Sequence, residues 1–360
     1  MSRILVMAGG TGGHIFPALA VAKKLRGLGC EVRWLGSQGG MEQRLVDKAG
    51  FEGDWISVAG VRGKGWRTKL LAPFRLVASV WQALRVLRLR RPDAVLGMGG
   101  FASGPGGLAA WLTRRPLIIH EQNAVAGTTN KVLSRLADKV FTAFPHAFGT
   151  RAQAVVGNPV RDDIIALPVP EQRFAKREGA LRVLVLGGSQ GALALNEYVP
   201  RELAEWAKTQ PISVLHQSGE RTFSTAQDAY EGARLTVNVV PFITDMAQAY
   251  GWADLAVCRA GALTISELAA AGLAAVLVPF PFAIDDHQTL NAAYLEQVGA
   301  GRILAERDCQ PGALVAMLKE VADDRGRLLA MATAARHQRQ PDSANVVAVS
   351  CVELASGVAL

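Results

Sequence analysis

Several common sources of chemistry are scarce in this 360-residue sequence. It contains only four cysteines, Cys30, Cys258, Cys309 and Cys351, and none stands at the spacing of a metal-binding or redox pair. We therefore expect free thiols in a reducing compartment, with Cys30 and Cys258 buried among their apolar neighbours. The first residues also lack the charged and then apolar layout of a secretion signal, which favours a cytosolic protein.

No apolar run is long enough to predict a membrane-spanning helix. The longest, Leu268 to Ile284, is broken by Gly272, Pro279 and Pro281, and it is typical of a helix, a turn and a buried strand. Acidic residues are missing between Trp55 and Pro92, where nine lysines and arginines lie. With a formal net charge of +8, this stretch predicts a basic surface for an anionic partner. Nucleic acid, nucleotide phosphates and an acidic membrane all have the required charge.

What the sequence does contain is a steady alternation of apolar strands and helical stretches. Several strands are continuous apolar runs, which is typical of a doubly wound parallel sheet in an α/β fold. In the first half the predicted strands are Ile4–Met7, Val32–Leu35, Trp55–Val58, Ala94–Met98, Leu117–His120, Val140–Thr142 and Ala154–Val156, and the predicted helices include Pro17–Leu28 and Gly106–Leu112.

A proline-rich segment from Gly157 to Phe174 interrupts this alternation, which restarts near Leu181 with five further strand-like segments. We predict two Rossmann-like domains, residues 1–160 and 161–342. We also predict a C-terminal helix within residues 343–360 that packs back on the first domain. Two such domains would face one another across a cleft, with ligands at the carboxyl ends of the strands.

Two glycine-rich turns follow the first strand of each half, GGTGGH at Gly9–His14 and GGSQGA at Gly187–Ala192. Glycines let the backbone approach an anion, and a following helix supplies unpaired amides, so we predict phosphate binding at both. The alternative is a tight turn without a ligand. A third turn, GMGGFA at Gly97–Ala102, matches part of a dinucleotide fingerprint and leaves a nicotinamide oxidoreductase open, although it follows an internal strand.

His14 stands at the start of the first helix. A helix N-terminus disfavours imidazolium, so a neutral ring would be available there as a catalytic base. The alternative is a histidine that only holds the turn.

Seven motifs in order resemble those of one family: GGTGGHIFPALA, GMGGFASGPGG, HEQNAVAGTTNK, GNPVR, GGSQGA, HQSG and the long RAGALTISE segment that ends at DDHQTLNA. The sequence resembles the MurG family of UDP-N-acetylglucosamine transferases, which make lipid II in peptidoglycan synthesis and so serve cell-wall biogenesis, cell shape and cell division. The resemblance implies the two-domain GT-B glycosyltransferase fold. It also implies an inverting reaction in which the 4-hydroxyl of the muramoyl sugar of lipid I attacks C1 of GlcNAc and UDP leaves.

The resemblance also implies roles for individual residues. His14 would be the catalytic base, and in the first domain the substrate contacts would be Thr11, Gly12 and Gly13 at the donor sugar beside the acceptor pyrophosphate, and Asn123 at the GlcNAc hydroxyls. For His120 and Glu121 the alternative is a structural role, in which they orient Asn123. Arg161 and Ser189 would contact the pyrophosphate, and Ile243 would form part of the uracil slot. Gln288 would contact sugar hydroxyls. The donor-binding turn and helix start would comprise Ala262, Leu263, Thr264, Ile265, Ser266 and Glu267, with Glu267 on the ribose hydroxyls.

The resemblance further implies UDP-GlcNAc, lipid I, an anionic membrane surface and other cell-wall proteins as partners, without nucleic acid. It implies a peripheral protein on the cytoplasmic face of the bacterial inner membrane. We expect no cofactor and no metal, because the paired acids lack the DxD spacing that holds an ion in many sugar transferases. The alternatives are a UDP-GlcNAc 2-epimerase of the same fold, and a nucleotide-sugar-binding protein without catalysis.

A basic and apolar segment, Trp66–Arg91, is the candidate for membrane contact. Leu70, Phe74, Val77, Trp81 and Leu84 recur at helical spacing, and Arg67, Lys69, Arg75, Arg85, Arg88, Arg90 and Arg91 flank or oppose them. We expect contact mainly through Trp66, Leu70, Leu71 and Phe74. The alternative is that the apolar stripe is the core face of a helix.

Overall fold

The computed structural model describes residues 1–58, 72–151, 153–175, 177–188 and 191–357. They form two compact units: unit 1 comprises 1–161 and 340–360, and unit 2 comprises 162–339. The proline-rich segment predicts a boundary between residues 160 and 161, and the two units divide between residues 161 and 162.

Unit 1 alternates strands and helices along most of its length. Its strands are β1 (Arg3–Met7), β2 (Glu31–Ser37), β3 (Glu52–Ile56), β4 (Ala94–Gly97), β5 (Leu117–Glu121), β6 (Lys139–Thr142) and β7 (Ala154–Val155). Its helices are α1 (Gly12–Gly27), α2 (Met41–Lys48), α3 (Ala72–Arg90), α4 (Ser103–Leu112), α5 (Thr128–Leu133) and, from the end of the chain, α15 (Ser343–Ala355).

Unit 2 repeats this alternation. Its strands are β8 (Leu181–Leu186), β9 (Ile212–Gln217), β10 (Thr236–Val240), β11 (Leu255–Cys258), β12 (Ala274–Leu277) and β13 (Gly301–Ile303). Its helices are α6 (Asp162–Ile165), α7 (Pro170–Phe174), α8 (Leu193–Trp206), α9 (Phe223–Ala229), α10 (Met246–Trp252), α11 (Ala262–Ala271), α12 (His287–Glu296), α13 (Ala313–Ala322) and α14 (Arg325–His337).

Each unit contains one parallel sheet, in the order β3-β2-β1-β4-β5-β6-β7 in unit 1 and β10-β9-β8-β11-β12-β13 in unit 2. The prediction of two doubly wound, Rossmann-like sheets is confirmed. In both sheets the order reverses beside the first strand, between β1 and β4 and between β8 and β11. A crevice at the carboxyl ends of such a strand pair is where open α/β sheets bind ligands. Both glycine-rich turns leave their sheets at these two points.

Apolar packing covers both faces of the first sheet. Along β1, Ile4 and Val6 belong to a core under α1 and α15, whereas Leu5 and Met7 belong to a core under α3 and α4. The alternation follows from the period of two in a strand. The core beneath α15 includes Val347, Ala348 and Cys351, each with no exposed surface, so the last helix is part of unit 1.

Helix α3 buries one face and exposes another. Ser79, Ala83 and Leu87 are buried on the sheet side. Phe74, Val77 and Trp81 are 74%, 69% and 60% exposed. For these three residues the interpretation as a core face is wrong. The predicted contacts Trp66, Leu70 and Leu71 lie outside the described residues. No helix in the described part of the chain is long and apolar enough to cross a membrane.

The structure differs from the predictions at several element boundaries and in one additional strand. Helix α1 begins at Gly12, five residues before the predicted Pro17, and contains that proline in its second turn. Strand β3 begins at Glu52 rather than Trp55, because its acidic residues pair with arginines of neighbouring elements, as Asp54 does with Arg90 at 2.8 Å. Strand β13 was not predicted, since three residues at a sheet edge give almost no periodic signal.

Candidate active site

The glycine turn between β1 and α1 is held from inside unit 1 by a buried carboxylate. Glu42, 1% exposed, accepts hydrogen bonds from the amides of Gly10 at 3.2 Å and Ser37 at 2.9 Å. The Gly10 amide therefore points to the Glu42 carboxyl group inside unit 1. A phosphate at this turn would depend instead on Gly12 and Gly13, whose amides lie in the first turn of α1, where a helix offers no internal acceptor.

His14 also lies in the first turn of α1 and is half-buried. Its Nδ1 atom is 2.8 Å from Oε1 of Gln122, which follows β5. Thr11, the residue before the helix, accepts the amides of His14 and Ile15 through its carbonyl. The helix start, the end of β5 and the glycine turn thus meet at one imidazole ring.

The GMGGFA turn lies against this ring. Gly99 and Gly100 have φ values of +94° and +91°, a region that L side chains rarely adopt. A Cβ on Gly99 would lie 2.7 Å from His14 Nδ1, and one on Gly100 would lie 2.3 Å from the Gly9 carbonyl. These two glycines are explained by close packing of two turns, so the partial fingerprint needs no nicotinamide to account for it.

The HEQN segment is organised by a second buried carboxylate. Glu121 is 2% exposed, and its Oε1 accepts the Asn123 main-chain amide at 3.0 Å and the Asn123 side-chain amide at 3.3 Å. Its Oε2 accepts from the Gly127 amide at 3.1 Å and from Asn130 at 2.8 Å. The expectation that Glu121 orients Asn123 is confirmed. His120 lies against Gly157 and Gln122 instead.

In unit 2, part of the GGSQGA turn is described. Ser189 lies outside the described residues. Gly191 has φ +76° and approaches the carbonyl of Ser218, in the HQSG motif that follows β9. Asn196 of α8 donates to that carbonyl at 2.9 Å and to Thr222 Oγ1 at 2.9 Å. These contacts fix the start of α8 against the HQSG loop.

A buried histidine completes that anchor. Asn196 Oδ1 lies 3.0 Å from Nε2 of His216, whose Nδ1 lies 3.0 Å from the Tyr230 hydroxyl. Because the amide nitrogen of Asn196 is used elsewhere, its oxygen faces the ring and His216 Nε2 carries the proton. Tyr230 then donates to Nδ1. Burial lowers the pKa of His216 to about 4, so the ring is neutral at pH 7.

Helix α11 carries six predicted donor contacts, Ala262 to Glu267. Glu267 is 8% exposed, and its Oε2 accepts the Tyr250 hydroxyl at 2.9 Å. Tyr250 thereby fixes the direction of this carboxylate, as a ligand contact requires. Leu263, Thr264 and Ser266 are half-buried, but Ile265 is fully buried. A contact from Ile265 would therefore have to come from its main chain.

The remaining predicted residues lie in helix α12, in a loop of unit 2 and at the boundary between the units. Gln288 accepts the Phe280 amide through Oε1 at 2.9 Å, which ties α12 to the preceding loop. Ile243 is half-buried between β10 and α10. The neighbouring Thr244, Asp245 and Gln248 help to line a cavity of about 580 Å³, but Ile243 does not. Arg161 is half-buried at the end of the first segment of unit 1.

Clusters that could hold a metal are absent from the described residues: no three His, Cys, Asp or Glu side chains come together there. Of the cysteines, Cys30 and Cys258 are buried and free, as predicted. The residues that sequence reasoning missed are Glu42, Gln122 and Tyr250. Gln122 stands inside a quoted motif, whereas Glu42 and Tyr250 have no sequence signal that links them to the site.

Comparison with known proteins covers both units. Residues 4–142 match the glycosyltransferase family 28 N-terminal domain, and residues 182–347 match the glycosyltransferase family 28 C-terminal domain. A protein of Marinobacter nauticus is 51% identical over 99% of this chain and 98% of its own length. It is named UDP-N-acetylglucosamine–N-acetylmuramyl-(pentapeptide) pyrophosphoryl-undecaprenol N-acetylglucosamine transferase. The crystal structure of Acinetobacter baumannii MurG is 41% identical, with a TM-score of 0.85 over 98% of this chain and all of that one.

The chain belongs to the MurG family. It is therefore a glycosyltransferase, as the motif set predicted, and the nicotinamide alternative is not supported. A UDP-GlcNAc 2-epimerase from Neisseria meningitidis has a TM-score of 0.68, covering 98% of this chain and 99% of that one, but only 13% sequence identity. That likeness is one of fold.

Proposed function

We propose that this chain transfers GlcNAc from UDP-GlcNAc to the muramoyl sugar of lipid I, forming lipid II and UDP. The observation that carries the proposal is the 51% identity, over 99% of the chain, with a transferase named for these substrates. The described site residues agree with that chemistry, because unit 1 presents an oriented histidine and unit 2 presents an oriented carboxylate on helix α11.

The proposed step is a single inverting displacement. His14 accepts the proton of the acceptor 4-hydroxyl, and the oxygen forms a bond to C1 of GlcNAc from the face opposite UDP. The bond between C1 and the diphosphate oxygen breaks, and its electron pair leaves with UDP. Positive ends of helix dipoles stabilise the negative charge that develops on the leaving group. In unit 2 the N-terminus of α11, which lies among the described residues, is a candidate for this role.

The direct test incubates the purified protein with UDP-GlcNAc labelled in the sugar and a lipid I analogue. We expect a labelled disaccharide product and one UDP released per transfer, both detected by chromatography. Epimerised UDP-sugar without disaccharide would contradict the proposal and favour the epimerase alternative.

Glu267→Ala should weaken binding of UDP-GlcNAc, because in this proposal two ribose hydroxyls lose a charged acceptor. Hydrogen bonds to a charged group contribute roughly 1.5–3 kcal/mol, so the dissociation constant should rise about tenfold or more. Calorimetric titration of the folded variant measures it. Glu205→Ala, an exposed glutamate of α8 in the same unit, is the matched control. Unchanged UDP affinity in folded Glu267→Ala would show that the ribose lies elsewhere.

We further propose that the exposed face of α3 rests on the anionic cytoplasmic surface of the membrane, where the lipid-linked acceptor is found. Phe74, Val77 and Trp81 present apolar surface, and Arg75, Arg85 and Arg88 are exposed on the same helix. An apolar face that contains tryptophan and has basic residues beside it is suited to a membrane interface. Each basic residue near an anionic surface contributes about 1 kcal/mol.

Phe74→Glu combined with Val77→Glu should reduce cosedimentation with vesicles of phosphatidylglycerol and phosphatidylethanolamine by at least about tenfold. Full burial of such side chains contributes roughly 1.5–3 kcal/mol each, and the new charges are repelled. Leu28→Glu with Val346→Glu is the matched control, since these side chains are exposed just after α1 and on α15, the two helices on the opposite face of the sheet. Equal vesicle binding by a folded Phe74/Val77 variant would exclude this face as the membrane contact.

A further inference from the structure

A row of hydrogen bonds runs behind His14 in unit 1. His14 Nδ1 lies 2.8 Å from Gln122 Oε1, and Gln122 Nε2 lies 3.2 Å from His120 Nδ1. His120 Nε2 in turn lies 2.9 Å from the main-chain oxygen of Gly157. His120 and Gln122 are 0% and 1% exposed, so water offers them no alternative partners. The protons in this row must therefore satisfy the groups that are present.

The side-chain amide of Gln122 can point in only one direction. Its Nε2 atom lies 3.3 Å from the main-chain oxygen of His120, which can only accept. A flipped amide would place two oxygens against one another, so the nitrogen faces His120 and the oxygen faces His14. An amide oxygen also can only accept. Nδ1 of His14 is therefore the nitrogen that carries hydrogen.

The other end of the row leads to the same arrangement. The Gly157 oxygen requires hydrogen on His120 Nε2, which leaves His120 Nδ1 as the acceptor for Gln122. Burial lowers the pKa of His120 to about 4, so this ring is neutral at pH 7. All three bonds then donate in one direction, from His14 through Gln122 and His120 to Gly157, and bonds aligned in this way strengthen one another.

We propose that Gln122 is a positioning residue which, supported by His120, holds His14 in the Nδ1–H tautomer and so leaves the Nε2 lone pair as the base. A neutral imidazole has one donor and one acceptor nitrogen, and the bond made by the first decides which is the second. The inference rests on the proposed function only in giving His14 the part of base. A carboxylate in place of Gln122 would fix the same tautomer and also favour imidazolium, whereas an amide adds no charge.

Nitrogen NMR of the whole protein, labelled with ¹⁵N-histidine, tests the tautomer directly. Long-range proton–nitrogen correlations distinguish Nδ1–H from Nε2–H rings, and a His14→Asn sample identifies the His14 signals. We expect Nδ1–H for His14 and Nε2–H for His120 at pH 7.5. An Nε2–H ring at His14 in the wild-type protein would overturn the proposal, whatever the variants do.

Two substitutions then separate tautomer control from simple packing. Gln122→Met keeps the length but removes the acceptor, so the Nδ1–H signal should be lost. The value of kcat should fall about tenfold or more, but by less than the roughly 10²–10⁴-fold expected when the base itself is removed. Gln122→Glu keeps the acceptor toward His14, although its second oxygen then faces the His120 oxygen, so the tautomer should be retained and kcat should fall less than in Gln122→Met. Gln153→Met, at a glutamine bonded only to nearby main chain, is the control. Equal losses in Gln122→Met and Gln122→Glu would contradict the proposal.

The pH profile gives a second, independent readout. A carboxylate beside His14 favours imidazolium, so in Gln122→Glu the acidic limb of the kcat profile should move to higher pH. Other ionisable groups on the surrounding elements are bonded to other partners or neutral: Glu42 binds Gly10 and Ser37, Glu121 binds the Asn123 to Asn130 loop, and His120 is neutral. An unmoved limb in an active Gln122→Glu protein would count against the contact.

Failure of the inference and failure of the proposed function can be told apart. A wild-type protein that makes no disaccharide but shows the Nδ1–H tautomer would refute the function and keep the hydrogen-bond row. A wild-type protein that makes disaccharide with His14 in the Nε2–H form would do the reverse.

Discussion

Replacing His14 with alanine should lower kcat for GlcNAc transfer by roughly 10²–10⁴-fold, the range contributed by a positioned general base. The acceptor hydroxyl then has to lose its proton to solvent while the oxygen attacks. Affinity for UDP-GlcNAc should change little, because the predicted donor contacts of unit 2 are untouched. Steady-state kinetics with a lipid I analogue, together with calorimetric titration of UDP, measure both effects.

Added imidazole sharpens this experiment. If the missing group is a base, free imidazole should restore part of the activity of His14→Ala, with the restored rate rising with the concentration of the neutral form. His146→Ala, at an exposed histidine of unit 1, is the control and should match the wild type. A loss of less than tenfold, without rescue, would give His14 a positioning part and assign the proton to another acceptor.

Acid should destabilise both units through two buried histidines, one in each. The pKa values of His120 and His216 are lowered to about 4 by burial, from an ordinary value of 6.5. The unfolded chain therefore binds more protons than the folded chain as pH falls. The stabilisation from each neutral ring is complete above about pH 6.5 and is lost progressively toward pH 4, by roughly 3 kcal/mol each.

Hydrogen exchange followed by mass spectrometry can measure this separately in the two units. We expect the opening free energy of peptides from β5 and from β9 to fall between pH 7.5 and pH 5. In His216→Gln the slope should flatten for β9 peptides and remain for β5 peptides. His146→Gln, at an exposed position, should leave both slopes unchanged. Parallel slopes in wild type and His216→Gln would mean that His216 is not the titrating group.

The sheets were largely predictable because their strands are buried on both faces, so each reads as an apolar run. Helix α1 was harder to predict. Its first residues are glycines, and Pro17 is a usual helix breaker, so the pattern places the start of the helix too late. In the structure Pro17 lies early in the helix, where its missing amide deprives only the Gly13 carbonyl of a partner.

The site was predictable only where one motif contains both members of a contact. Glu121 and Asn123 lie two residues apart, and their relation could be expected. Glu42 reaches Gly10 across 32 residues, and Tyr250 reaches Glu267 across 17. Such contacts depend on how strands are ordered in a sheet, which composition and spacing do not reveal. The orientation of the Gln122 amide depends in addition on a main-chain oxygen, which carries no sequence signal.

The return of α15 to unit 1 has a consequence for synthesis on the ribosome. Unit 2 is one continuous stretch, and all of its strands have emerged before the last helix is made. Unit 1 begins first but lacks Val347, Ala348 and Cys351, which complete the core over β1 and α1. Its apolar face stays open until this helix has emerged from the ribosome. Unit 1, although it is begun first, therefore completes its core only after the strands of unit 2 have been made.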